Sequence, residues 1–163
     1  MTNFLALNIQ STLELIVFAL VSKWYIAPRL ATKDLYDALI PLLFIHALRF
    51  LPVTLLVKGQ VSSEIPQYVS NEIAYGDLVS SILAIVSILF LKFRISGAIA
   101  TAWIFNIFGA LDIINAFRVG IGAKLYDYPL GFNWYILNFY TPLLIVSHFM
   151  IFSMLIKKPL HNN

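Results

Sequence analysis

The sequence predicts an all-α fold, an integral membrane bundle of five transmembrane helices, and three observations predict it. Of the 163 residues, 60% are hydrophobic and only 12% charged, whereas a soluble domain is roughly 45–50% apolar and about 25% charged. The mean hydropathy is correspondingly high, +0.84. The apolar residues gather in five stretches, and five helices of about 20 residues with short connections account for nearly all of the chain, leaving no room for a soluble domain. The basic residues sit at the ends of those stretches and form no basic face, as membrane topology requires.

The first helix is expected over about 4–25. No Lys or Arg precedes its apolar run and no A-x-A pattern follows it, so it reads as a retained helix and not as a cleaved signal peptide. The second is expected over about 37–57, with Pro41 in its first turn, where a missing N–H costs little. The third covers about 71–93, the fourth about 97–118 and the fifth about 132–156, the last opening on Phe132, Trp134 and Tyr135 as an interfacial aromatic belt. Each is long enough for ~30 Å of hydrocarbon at ~1.5 Å per residue. Pro52 and Pro142 fall inside helices 2 and 5, and each frees a carbonyl one turn earlier, on Leu48 and Asn138.

Orientation follows from the basic residues. Lys23, Arg29, Lys33, Lys92, Arg94, Lys157 and Lys158 fall on one side, and Lys58, Arg118 and Lys124 on the other. Seven against three predicts an N-terminus outside and a C-terminus in the cytoplasm, in a multi-pass protein of the cell inner membrane. The net charge of +3 is thus explained by topology, and nucleic acid is not an expected partner. The chain has no cysteine, which excludes disulfides, thiolate zinc, iron–sulfur clusters and covalent haem attachment. It carries no G-x-S-x-G, H-E-x-x-H, Walker A or Gly-rich dinucleotide motif. Whether it is an enzyme is left open by the sequence.

The informative residues are the ionisable ones placed where hydrocarbon should be: Arg49, Asp77, Asp112, His46, His148 and Glu14. A charge near a bilayer centre costs at least ~2.5–3.5 kcal/mol, so such residues face a partner, a cavity or a ligand. Counted inward from the outer helix ends, Arg49, Asp77, Asp112, Tyr140 and Thr141 share a layer at roughly 9–14 Å depth. His46, Asn106 and Glu14 fall at roughly 15–18 Å, and His148 at about 24 Å. An arginine fork can serve two carboxylates and stays charged when buried. One Arg with two Asp leaves a formal excess of −1, to be met by a proton, a cation or a donor group of a ligand. Asp77, Ser80, Ser81 and Ser87 form a polar stripe on helix 3 that suits helix packing better than a pore lining, and Asn106, Gly109, Asp112 and Asn115 make a looser i+3 series on helix 4.

These residues predict a buried polar pocket in the outer half of the bundle, binding a small molecule or ion for transport or sensing. Arg49, Asp77 and Asp112 would anchor the ligand, with Asn115 above them. His46 and Asn106 would form the floor, and Tyr75, Tyr140 and Thr141 the walls. Glu14 would be proton-linked. His148, deeper, would make a structural hydrogen bond. On this reading no cofactor or metal is expected, the lipid bilayer and the ligand are the partners, and transport by so few helices implies a homo-oligomer. Two alternatives stay open: a membrane enzyme or redox protein holding haem b or a metal ion through His46 and His148, and an accessory subunit whose polar residues only pack against a partner.

The strings IHALRFLP (45–52), AYGDL (74–78), WIFNIFGALD (103–112) and YTPLLIVSH (140–148) resemble those of small bacterial polytopic integral membrane proteins of unassigned function. The resemblance spans helices 2 to 5. It implies a membrane bundle and nothing about chemistry.

Overall fold

The computed structural model describes residues 1–157; Lys158, counted above with the basic tail, and the C-terminal Asn163 lie outside them. The described residues form five helices and no strand, and all five are long and apolar enough to cross a membrane: α1 (Asn3–Ala31), α2 (Leu35–Leu56), α3 (Gln67–Lys92), α4 (Ala98–Gly122) and α5 (Asn133–Lys157). Their outward faces carry large exposed apolar side chains such as Ile16, Phe44, Ile82, Leu111 and Phe149.

Three prolines shape the helices. α1 runs past its expected end because Pro28 does not stop it. Residues Ser22–Ile26 widen into a π turn, and the Ala27 N–H reaches the Ser22 carbonyl five residues back. The wider turn accommodates the missing N–H and the bulk of the ring, so α-geometry resumes over Ala27–Ala31. α5 repeats the device one residue before Pro142: Ile136–Tyr140 form a π turn, with the Thr141 N–H on the Ile136 carbonyl. The Thr141 hydroxyl donates to that same carbonyl at 3.1 Å.

α2 responds differently. Its first turn is capped by Asp34, whose side chain accepts from the Asp37 N–H at 3.0 Å. Capping there starts the helix at Leu35, which places Pro41 inside α2 and not in its first turn as expected. α-Geometry ends at Ala47, and Leu51–Leu56 continue as a tighter 3-10 turn. Pro52 disfavours α-geometry in the residue before it and would clash with the Leu48 carbonyl. That carbonyl is not left free as expected, because the Leu51 N–H takes it at 3.1 Å. Arg49 sits in the break.

The turn between α3 and α4 is closed by Ile95 N–H on the Phe90 carbonyl (2.9 Å) and Arg94 N–H on the Leu91 carbonyl (3.2 Å). This is a Schellman closure, in which the left-handed position, usually glycine, is Arg94 with φ +54°. Its guanidinium lies 2.8 Å from Asp34 and over the Tyr36 ring, joining this turn to the α1–α2 connection at one end of the bundle. At the opposite end Ser62 N–H donates to the Pro129 carbonyl at 3.1 Å, tying the α2–α3 and α4–α5 connections together. The main core, built on Leu39, Leu42, Leu43, Leu91, Phe105 and Ile151, lies toward the Arg94 end. A smaller cluster of Ile65, Val69, Val119, Leu125 and Leu130 closes the other.

Candidate functional site: a buried arginine beneath an apolar cavity

Because α2 breaks at Arg49, its carbonyls there lose their ordinary helical partners, and neighbouring helices supply replacements. Tyr140 on α5 donates its hydroxyl to the Ile45 carbonyl at 2.5 Å. Ser81 on α3 donates to the Ala47 carbonyl at 2.6 Å. Tyr140, expected as a pocket wall, thus also serves the Pro52 break on α2. The irregular backbone is therefore satisfied by protein, as irregular backbone away from water must be.

The Arg49 side chain, 1% exposed, is held by three helices. Nε donates to Asp77 Oδ1 at 2.6 Å, and Nη2 to Asp112 Oδ2 at 2.7 Å. Nη1 donates to the Gly109 carbonyl at 3.0 Å and lies 3.3 Å from His148 Nε2. The ion cluster expected from the shared layer thus forms with both aspartates. Two glycines make room for it. A Cβ at Gly76 would lie 1.9 Å from Asp112 Oδ1, and one at Gly109 would lie 2.9 Å from Arg49 Nη1. The role of Gly76 was missed in the sequence, although a glycine beside an aspartate in the middle of an apolar helix is itself a signal of close approach.

Behind Arg49 is a layer of histidines. An arginine only donates, so His148 Nε2 accepts, and its proton sits on Nδ1, which donates to Asn106 Oδ1 at 2.6 Å. The Asn106 amide also donates to the His148 carbonyl at 3.4 Å. Ser147 donates its single proton to the Leu144 carbonyl (3.1 Å) and so accepts from His46 Nε2 (2.6 Å). That leaves His46 Nδ1 buried with no partner. The two imidazoles touch, with ring centroids 4.2 Å apart, and Phe105 packs against both. The sequence placed His46 beside Arg49 and His148 apart from it. The structure reverses the roles: His148 contacts the arginine and His46 contacts Ser147. Counting depth along the backbone ignores the reach of an arginine side chain, which covers part of that difference.

A family model described as a domain of unknown function, DUF8737, matches residues 6–156. The chain belongs to that family. No curated protein and no solved structure matches it. The DUF8737 match takes in the whole Arg49 cluster and most of each helix, so the site lies inside the family domain and not in an appendage to it.

On one side of the Arg49 cluster this DUF8737 chain forms a partly open cavity of about 360 Å³ between α1 and the other four helices, at the lower end of the ~300–1,000 Å³ usual for small-molecule sites. Arg49, Asp77, Tyr140 and Thr141 lie at its polar floor, and Leu7, Leu15, Leu55, Ile113, Phe117 and Leu144 are among its apolar walls. Asn133, 5% exposed, also lines it. Asn133 Oδ1 lies 2.9 Å from the Thr54 hydroxyl, whose single proton it shares as an acceptor with the Leu51 carbonyl at 2.8 Å, while its Nδ2 is buried without a partner. Asn8, Ser11 and Thr12 add hydroxyls and an amide from α1.

Several expected lining residues are elsewhere. His46 and Asn106 do not form the floor, because the Arg49 side chain fills the space between them and the cavity. Asp112 bonds Arg49 but is not on the cavity wall. Asn115 lies two turns before the end of α4, on a face where it bonds Arg118 at 2.8 Å and Glu72 at 3.4 Å. Tyr75 is exposed and borders a separate opening beneath residues 57–71. Glu14 is half-buried on α1, its Oε2 buried with no partner, and does not line the cavity. Ser80 and Ser81 of the α3 stripe bond Asp112 and Ala47, and Ser87 its own helix, so the stripe lies within helix contacts. Among the described residues, no three His, Asp or Glu side chains are grouped as metal ligands.

Proposed function

We propose that this protein is a multi-pass inner-membrane protein that binds a small, largely apolar molecule in the cavity between α1 and α2–α5, for uptake or sensing. The observation that carries the reading is the placement of a largely buried Arg–Asp cluster at the floor of an apolar cavity. A cluster that only fixed helix packing would be sealed on all sides by protein. Here Arg49 and Asp77 also face open volume, the pattern of a recognition site in which apolar walls supply affinity and a few polar groups fix orientation. The basic residues Lys23, Arg29, Lys33, Lys92 and Arg94 gather at the end opposite the cavity, which favours a cytoplasmic position for that end and an outer-half position for the site. The contact between the His46 and His148 rings leaves no gap for a haem between them, so the geometry favours binding over the redox alternative.

The test is native mass spectrometry of protein extracted in mild detergent. Wild type should retain a small molecule that Ala116→Phe loses, since Ala116 lines the cavity and carries no charge. An identical adduct on both proteins would remove the cavity from consideration as the site.

A further inference from the structure

The polar groups that the cavity presents are not neutral in their preference. A guanidinium has five N–H donors, and Arg49 spends four of them on Asp77, Gly109, His148 and Asp112. It has almost nothing left to offer an anion. Asp77, by contrast, gives Arg49 only Oδ1, and its Oδ2 receives no hydrogen bond from the described residues although Asp77 lines the cavity. The cluster holds two aspartates against one arginine, and no lysine or second arginine borders the cavity. An anionic ligand there would add to the formal excess of −1; a cation would complete the charge balance.

A second, independent polar group stands at the other end. Asn133 Nδ2 is buried, without a protein partner, in a residue that lines the same cavity. A buried N–H with no acceptor has lost its water without gaining a partner, so the site is incomplete without one. Asn133 begins α5, and Tyr140 on the floor lies seven residues further along, roughly 10 Å at the helical rise. The walls between are apolar.

Resting on the cavity reading above, we propose that the ligand is a lipophilic monocation: an apolar body with one protonated amine seated on Asp77 and an oxygen acceptor, roughly 10 Å away, seated on Asn133. The experiment uses the full chain in zwitterionic phosphatidylcholine nanodiscs, with empty nanodiscs as the partition control. The probes are ethyl ω-aminooctanoate, its neutral counterpart ethyl ω-hydroxyoctanoate and its anionic counterpart monoethyl octanedioate, which share one ester and one chain length. Saturable binding of the amine, about tenfold or more tighter than the alcohol and tighter still than the acid, is the expected result. Asp77→Asn should reduce the amine to the level of the alcohol, while Asn133→Leu should weaken all three esters together. Equal or tighter binding of the acid or the alcohol to wild type overturns the proposal, whatever the variants do. So does the absence of binding by all three. The cavity itself is judged separately: if Ala116→Phe binds the amine as tightly as wild type, the site is elsewhere and the underlying reading falls too.

Discussion

Toward the Arg94 turn the helices close on one another, whereas toward the opposite end α1 stands away from the rest and a cavity of about 360 Å³ opens. The difference follows from residue size at the contacts. At that end α3 and α4 bury Ala84, Ala98 and Ala102, side chains small enough to let backbones approach. α1 meets its neighbours through bulky rings, Phe18 on Phe139 at 5.2 Å and Phe4 on Tyr126 at 5.0 Å, and has no buried residue between Asn3 and Val21. Small residues seal one half, and aromatic props hold the other open. The arginine cluster lies on the boundary, sealed behind and open in front.

The largest test of that boundary is the charge itself. Arg49→Leu should destabilise the protein by about 3–5 kcal/mol, because it leaves two desolvated carboxylates without a counter-charge. Adding Asp77→Asn and Asp112→Asn should recover most of the loss. Thermal unfolding in detergent, followed by circular dichroism, checks both statements; a single substitution costing no more than a surface change would mean that water already reaches the cluster.

Next come the small residues at the cluster and behind it. Gly76→Ala has to displace the Asp112 carboxylate, since its Cβ would start 1.9 Å from Oδ1, and should cost about 1–3 kcal/mol. Ala102→Phe, at a site with no exposure, should cost at least that much. Ala116→Phe places the same added ring in the cavity and should change stability by less than ~1 kcal/mol. The contrast between the two Ala→Phe variants is the sharpest measure of the comparison, and equal costs would show that the cavity does not persist in detergent.

Much of this was legible in the sequence because the physics is one-dimensional. Hydropathy and end charges define five helices, and equal depth placed Arg49, Asp77 and Asp112 in one layer, where they meet. What was not legible depends on direction. Pro28 and Pro142 are absorbed by π turns while Pro52 ends the α-geometry, and nothing in the residues one turn away separates these outcomes. With α2 broken at Arg49, the guanidinium turns toward Gly109 and His148, and this is what excludes His46 and Asn106 from the cavity wall. Asn115 and Tyr75 lie at plausible depths but on the wrong faces. Asn133 and Thr54, which pair at the cavity rim, drew no attention because they fall near helix ends, where polar residues are ordinary.

The smallest expected effect lies at the sealed end, outside the five long apolar helices. Asp34 accepts from the Asp37 backbone N–H at 3.0 Å and from Arg94 at 2.8 Å, and these bonds, the backbone one first, hold its carboxyl below the usual aspartate range. A group whose folded value is depressed adds stability above its unfolded value, near ~3.9 for Asp, and loses it as the pH falls through that value toward the folded one. The pair is about half exposed, so solvent screens it, and the midpoint should fall by no more than ~4 °C on this account between pH 6 and pH 3. Asp34→Asn keeps a good N-cap while removing the charge, and should flatten that part of the pH profile with little change at low pH. Arg94→Gly relieves the left-handed backbone at φ +54° and removes the same ion pair, so it should flatten the profile in part, leaving the share owed to the Asp37 N–H. If Arg94→Gly leaves the profile unchanged, the arginine serves only to hold Tyr36, and the closure of this end owes nothing to charge.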